Sequence, residues 1–244
     1  MASAATTEAN TAPRPTGRGR RGPKPPQSSL VLLVRHGTTP TTGQVLPGRA
    51  AGLHLADQGQ REAEAVAERL AALAAAWRSK ASRPGFEVAA VYASPLERAR
   101  ETASPIAQRL GLKVVIERGL VECDFGEWTG AELKTLRKLP QWAAVQRYPS
   151  GFQFPAGESF TGMRARLADT MAKLWRRHPG QAVVAVSHAD PIKAVVSDAL
   201  GTHLDLFQRI VVSPCSVTVI SYHPTGPIVL AVNSTGTLAE LRPA

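Results

Sequence analysis

Short runs rich in apolar residues, most of them aliphatic, occur at six places along the chain, and each predicts a β-strand. They span residues 30–34, 87–94, 113–117, 181–188, 216–224 and 227–233. The runs at 30–34, 87–94 and 181–188 are typical of strands that are covered on both faces. The last two runs are joined by a Thr-Gly turn, which favours an antiparallel pair at the edge of a sheet.

Between these runs, apolar residues recur at the three- and four-residue spacing of amphipathic helices. The periodic segments span residues 59–77, 94–111, 158–180 and 190–201. Strands and helices therefore alternate along the chain. This order predicts a three-layer α/β/α fold with a mostly parallel central sheet and an antiparallel edge strand.

Polar residues and prolines predict where two of these helices begin and end. Ser94 and Asp190 each precede a proline, so we expect them to be N-caps. Gly201 is expected to end the helix that Asp190 starts. Pro105 lies inside the other helical pattern and is expected to kink or interrupt it.

Residues 131–154 fit neither a strand nor a simple helix. They carry four cations and four aromatic residues, namely Lys134, Arg137, Lys138, Arg147, Trp142, Tyr148, Phe152 and Phe154. Two interpretations remain open at this point. The segment is either a helical lid with a solvated basic face, or a wall that attracts acidic substrates and covers their apolar parts.

Composition separates the start of the chain from the rest. The chain has 244 residues and a formal net charge of +10. Residues 1–28 contain five Arg and Lys against one Glu, are rich in Pro and Gly, and have almost no large apolar residues. We expect 1–28 to be a disordered basic tail and 29–244 to form one domain. The start MASAATT faintly resembles a transit peptide, but a solvated tail is the favoured interpretation.

Composition also excludes several classes of protein. No apolar stretch approaches the ~20 residues of a membrane span, so we expect no membrane partner. No aromatic residues are interleaved with the basic charges, so nucleic-acid binding is not favoured. Cys123 and Cys215 lack a C-x-x-C spacing, which points to a reducing, cytoplasmic compartment. No histidine spacing is that of a zinc enzyme, so neither metal nor other cofactor is expected.

Polar residues stand at the carboxyl ends of three of the predicted strands. Arg35 and His36 follow the first, Ser94 follows the second, and His188 follows a later one. Because ligands of open α/β sheets bind beyond the carboxyl ends of the strands, these residues should meet at one rim.

Arg98 indicates what this rim binds. It falls in the first turn of its helix, where a cation is disfavoured unless an anion is held there. Two arginines, two histidines and helix amides together predict a phosphate pocket. We expect Gly37 to let the backbone approach such a ligand closely.

Five motifs in one order extend this interpretation: RHG at 35–37, SPLERARETA at 94–103, ECDFGEWTG at 122–130, PAGES at 155–159 and VSH at 186–188. In this order they resemble the histidine phosphatase superfamily, the phosphoglycerate-mutase-like enzymes. The later HLDLFQRIVVSPCS is similar to a branch labelled probable phosphomutase, a label that leaves the substrate open.

The resemblance implies a phosphoglycerate-mutase-like fold and a role for each matched residue. His36 matches the nucleophile that becomes phosphohistidine, and Arg35 and Arg98 match the arginines that clamp the phosphate. His188 matches the second histidine, which stabilises charge on the transferring group. Glu122 matches the proton donor to the leaving group.

Four positions leave details of the site open. Asp124 and Glu127 are rivals of Glu122 for the acid. Thr42 stands where the family often has Asn, and Ala189 stands where it often has Gly. The resemblance also places segment 131–154 over the site.

Three function classes fit this pattern: a phosphatase, a phosphomutase and a phosphate-binding module without chemistry. The complete set of five residues argues against the binding module. Only residues 131–156 separate the acid motif from GES, and the longer closing insertion of glycolytic mutases is missing. We therefore expect a phosphatase that hydrolyses a small phosphorylated metabolite, with a mutase as the alternative and a homodimer allowed.

Overall fold

The computed structural model describes residues 28–78 and 86–238. The predicted basic tail, apart from Ser28, lies outside the described residues. Six strands form one sheet: β1 Ser29–Arg35, β2 Val88–Ala93, β3 Val114–Ile116, β4 Ala182–Ser187, β5 Val217–His223 and β6 Gly226–Ser234. Their spatial order is β3-β2-β4-β1-β5-β6.

The sheet is parallel through β3, β2, β4 and β1, as the alternation of strands and helices predicted. The β1–β5 and β5–β6 pairs are antiparallel, so two strands rather than one form the antiparallel edge. Within the described ranges, no helix is long and apolar enough to cross a membrane.

The helices are α1 Asp57–Arg78, α2 Glu97–Leu110, α3 Leu133–Leu136, α4 Trp142–Arg147, α5 Phe160–Arg177 and α6 Ala189–Ala199. Side chains of β1 alternate between two cores. Leu30 and Leu32 pack with α1 and α2 on one face, while Val31 and Leu33 pack with α5 and α6 on the other. This confirms the three-layer fold.

Two predicted N-caps were wrong. Helix α2 starts at Glu97 after Leu96, and α6 starts at Ala189 after His188, in both cases without a side-chain cap. Ser94 lies between β2 and α2, and its Oγ lies 2.8 Å from His188 Nε2, whereas Asp190 is the second residue of α6 and its Oδ1 accepts from Lys193. Gly201 does end α6, with a φ of 65°.

Pro105 does not interrupt α2, which is continuous from Glu97 to Leu110. The proline removes one backbone donor from the helix. Ala103, Ile106 and Ala107 nevertheless stay buried against the sheet, so tertiary packing preserves the helix through this position.

Segment 131–154 contains α3, α4 and a single turn at Pro149–Gly151. Leu136, Val145 and Phe154 are buried in the same core as α5 and α6. The segment is therefore part of the domain's packing.

Candidate active site

The carboxyl ends of β1, β2 and β4 lie side by side, as predicted. Arg35 pairs with Ser187 across β1 and β4, and Ala93 pairs with Val186 across β2 and β4. The polar residues that follow these strands are consequently brought to one rim.

His36 is buried at the base of this rim. Its Nδ1–H donates to the carbonyl of Gly37 at 2.8 Å, which leaves Nε2 unprotonated, with a lone pair that can accept a hydrogen bond or attack an electrophile. Burial, together with the charges of Arg98 and Arg35, lowers the pKa of His36 to about 3. The imidazole is therefore neutral near pH 7, the form that a nucleophile requires.

Arg98 is the second residue of α2, and its side chain is completely buried. Its Nε donates to His36 Nε2 at 3.3 Å, and Nη2 donates to the carbonyl of Gly48 at 2.8 Å. Nη1 has no hydrogen-bond partner within the described part of the chain. A buried cation at the positive end of a helix, with a donor to spare, favours an anionic ligand.

Arg35 supplies a second guanidinium, which lines a pocket together with His36. Its Nη1 donates to the carbonyl of Val212 at 2.7 Å, while the buried Nε has no partner among the described residues. The carbonyl bond fixes the orientation of the planar group, which is a requirement for recognising phosphate oxygens.

His188 faces His36 with ring centroids 5.1 Å apart. Its Nε2 lies 2.8 Å from Ser94 Oγ, and its Nδ1 is buried without a partner in the described ranges. Burial, then the neighbouring His36 and Arg98, lowers the pKa of His188 well below its usual value. Ser94 was expected at this rim, but its contact with His188 was not, because its position before Pro95 is equally typical of an N-cap.

Glu122 lines the same pocket as Arg35 and His36. Its Oε1 accepts the backbone N–H of Cys123 at 2.8 Å. Burial, followed by the charge of Asp190, raises the pKa of Glu122 to about 7. A carboxyl group in this range can hold a proton near neutral pH and give it to a leaving group.

The rivals of Glu122 are placed differently. Asp124 accepts from the backbone N–H of Gly126 at 3.0 Å and pairs with Arg49 at 3.6 Å. Glu127 is exposed, and neither carboxylate lines the pocket. The geometry therefore favours Glu122 as the acid.

The pocket has a volume of about 420 Å³. Besides Arg35, His36 and Glu122, it is lined by Thr39, Thr42, Ala189, Asp190, Lys193, Gln208, Arg137, Trp142 and largely apolar neighbours. Thr42 Oγ1 accepts the N–H of Thr39 at 2.8 Å, so its hydroxyl stabilises a turn beside the nucleophile.

No group of three or more potential metal ligands was found among residues 28–78 and 86–238.

Gly37 meets a steric requirement that the sequence did not indicate. A Cβ at this position would lie 2.6 Å from the carbonyl oxygen of Gly59, near the start of α1. The close approach of that helix requires the glycine, and its backbone N–H donates to Thr102 Oγ1 at 3.0 Å.

Asp190 and Lys193 were also missed as site residues. Lys193 Nζ lies 3.2 Å from Asp190 Oδ1 and donates to Gln208 Oε1 at 3.0 Å. Their spacing of three residues on one helix, directly after His188, was the signal that could have indicated them.

Comparisons with known proteins agree with this geometry. The model of a protein family described as the histidine phosphatase superfamily (branch 1) matches residues 31–235. Phosphoserine phosphatase 1 of Hydrogenobacter thermophilus is 29% identical over 86% of this chain and 94% of that protein. A probable phosphoglycerate mutase of Cronobacter sakazakii is 28% identical over 79% of this chain and 84% of that protein.

A solved structure shares the fold. The mycobacterial glucosyl-3-phosphoglycerate phosphatase superimposes with a TM-score of 0.71 at 22% identity, covering 86% of this chain and 100% of the other.

Proposed function

Because this chain belongs to the histidine phosphatase superfamily, we propose that it hydrolyses a small phosphomonoester through a phosphohistidine on His36. One observation carries the proposal. The lone pair of a neutral, buried imidazole lies beside a buried guanidinium that has a donor to spare. A nucleophile and a clamp for its phosphate target are thus adjacent.

In the first step, His36 Nε2 attacks phosphorus, the P–N bond forms and the bond to the ester oxygen breaks. Arg35 and Arg98 bind the non-bridging oxygens, and Arg98 Nε shifts its hydrogen bond from the imidazole to phosphate. Glu122 gives its proton to the departing oxygen. Positioning and charge stabilisation of this kind account for most of the catalysis of phosphoryl transfer.

In the second step, water attacks the phosphohistidine. Glu122, now a carboxylate, takes a proton from the water, and His36 leaves with its lone pair restored. Inorganic phosphate is released. A pKa of about 7 suits both halves of this cycle, because the group must lose and regain a proton near neutral pH.

We propose that the reaction needs no metal. Two fixed guanidiniums supply the charge that a metal ion would bring to the phosphate oxygens. Turnover should be the same with and without EDTA, and loss of activity that a divalent cation restores would contradict this.

Hydrolysis is favoured over mutase chemistry by access to water. A mutase must exclude water from the phosphoenzyme. Here the pocket is lined by Val211, which is 66% exposed, and by the exposed Arg137. Measurement of inorganic phosphate against isomerised product distinguishes the two reactions for each substrate in a screen that includes phosphoserine.

The nucleophile is tested by covalent labelling. Brief incubation with a phosphorylated substrate should give an acid-labile, alkali-stable label, and His36→Ala should lose both the label and turnover. His223→Ala is the control, because His223 ends β5 at the opposite end of the sheet. Retained turnover in His36→Ala would disprove the assignment.

A further inference from the structure

The proposed acid, Glu122, lies in a segment that has little regular structure of its own. Residues 121–125 lie between two short 3-10 turns, Arg118–Leu120 and Gly126–Trp128, and belong to no strand or helix. Backbone ladders therefore do not position this residue. Its position depends on bonds to the backbone groups around it.

Two arginines from distant parts of the chain supply such bonds. Arg166 on α5 donates through Nη1 to the carbonyls of Gly119 at 2.7 Å and Val121 at 3.0 Å. Arg49, from the loop between β1 and α1, donates through Nε to the carbonyl of Glu122 itself at 2.9 Å.

Glu158 joins the two arginines. Its Oε2 accepts from Arg49 Nη2 and Arg166 Nη2, each at 2.9 Å, and Oε1 accepts from Arg166 Nε at 3.0 Å. The backbone N–H of Asp124 donates to Oε2 at 3.3 Å, and that of Glu158 donates to the Asp124 carbonyl at 2.8 Å. Side-chain exposures of 18, 22 and 35% for Glu158, Arg166 and Arg49 show a partly desolvated network.

This network reaches the segment on both sides of Glu122 and is absent from the pocket lining. Arg49 also follows Gly48, whose carbonyl accepts from the phosphate clamp Arg98. The loop at 48–49 thus bonds both to the clamp and to the acid's segment. Charge-assisted and bidentate bonds of this type fix geometry more firmly than neutral ones.

We propose that Arg49, Glu158 and Arg166 are positioning residues, which hold the Glu122 carboxyl within reach of the leaving-group oxygen. The inference rests on the proposed function of Glu122. A shift of about 1 Å in a catalytic group can cost on the order of 100-fold in rate. The cost falls on substrates whose leaving group needs a proton, whereas an aryl phosphate, whose phenolate leaves unaided, is spared.

The test measures kcat/KM for an alkyl phosphate and for an aryl phosphate in each variant. We compare the ratio of kcat/KM for the alkyl phosphate to kcat/KM for the aryl phosphate. This ratio does not depend on the fraction of enzyme that is folded, so it can be interpreted even for a destabilised variant. Glu158→Gln and Arg166→Lys should lower this ratio at least about tenfold. The matched control is Arg164→Gln, because Arg164 lies two residues earlier on α5 and pairs with Asp198 at the surface.

Glu122→Gln separates the two proposals. We expect this single variant to lower the ratio strongly. The double variant Glu122→Gln/Glu158→Gln should have the same ratio as Glu122→Gln alone. If Glu122→Gln lowers the ratio but Glu158→Gln and Arg166→Lys do not, the positioning role is wrong and the proposed function stands. If Glu122→Gln leaves the ratio unchanged, the assignment of the acid fails, and the positioning role fails with it.

Discussion

The environment around His36 and Glu122 displaces two pKa values in opposite directions. Burial disfavours the charged form of each group, so the imidazole pKa falls to about 3 and the carboxyl pKa rises to about 7. Near neutral pH the pocket therefore holds a neutral base beside a carboxyl that is still partly protonated. The proposed mechanism needs this combination of nucleophile and acid.

The carboxyl pKa leads to a pH prediction. Glu122 acts as an acid only when protonated, so kcat/KM for an alkyl phosphate should fall as pH rises through about 7. Asp190 raises this pKa, and Asp190→Asn should therefore move the decline to lower pH. Profiles measured with an aryl phosphate serve as the control. The phosphate of that substrate also ionises with pH, but its leaving group needs no proton from Glu122. Identical profiles for both substrates would contradict the prediction.

Arg98 gives a second prediction at this scale. Lysine keeps the charge but cannot reproduce the bonds of the buried guanidinium to His36 and Gly48 together with a spare donor for the proposed phosphate. We expect Arg98→Lys to lower kcat/KM by at least about tenfold, roughly 1.4 kcal/mol. Arg100→Lys is the control, because Arg100 is exposed on the same helix. Circular dichroism should show that both variants are folded, and equal kinetics in the two would exclude the clamp.

At the scale of elements, segment 131–154 combines the two interpretations that the sequence left open. Its inner face is core, with Leu136, Val145 and Phe154 buried. Arg137 and Trp142 line the pocket, whereas Arg147 does not. The sequence did not distinguish these two arginines, whereas their placement in the structure leads us to expect different roles.

We predict that Arg137→Ala raises KM for a substrate that carries a second acidic group and leaves kcat for a small aryl phosphate nearly unchanged. Only an interaction remote from the phosphate is lost in that variant. Arg147→Ala, in the same segment, should change neither constant. Equal effects of Arg137→Ala on both substrates would make the segment a structural cover and move the search for specificity towards Thr42 and Ala189.

At the scale of the whole molecule, we propose that the catalytic domain is independent of the basic tail. The described domain already begins at Ser28, whose carbonyl accepts from Gly180, and Ser29 Oγ donates to the carbonyl of His178 at 2.7 Å. A deletion that tests this independence should therefore remove residues 1–27 and keep Ser28, which composition alone had assigned to the tail.

Removal of residues 1–27 should leave kcat/KM and Tm nearly unchanged, because this part of the sequence has almost no large apolar residues to pack. Steady-state kinetics and thermal denaturation of the two chain lengths provide the measurement. A large loss of either quantity would mean that the tail docks on the domain.

The sequence by itself determined the fold class and most of the elements. The aliphatic runs of β1, β2 and β4 and the periodic faces of α1 and α5 are local patterns, and each is sufficient to identify its own element. The motifs that resemble the family likewise indicated Arg35, His36 and His188, which lie at one rim because the carboxyl ends of parallel strands share one edge.

Only the tertiary structure decided what those residues contact. Ser94 and Asp190 looked like helix caps because the neighbours in sequence are all that a local pattern contains. Gly37 is required by Gly59, which no motif connects to it. The bonds from Arg49, Glu158 and Arg166 to the segment of Glu122 join residues 34 to 73 positions apart. Contacts between such distant residues exist only after the chain has packed, so their partners cannot be read from periodicity or spacing.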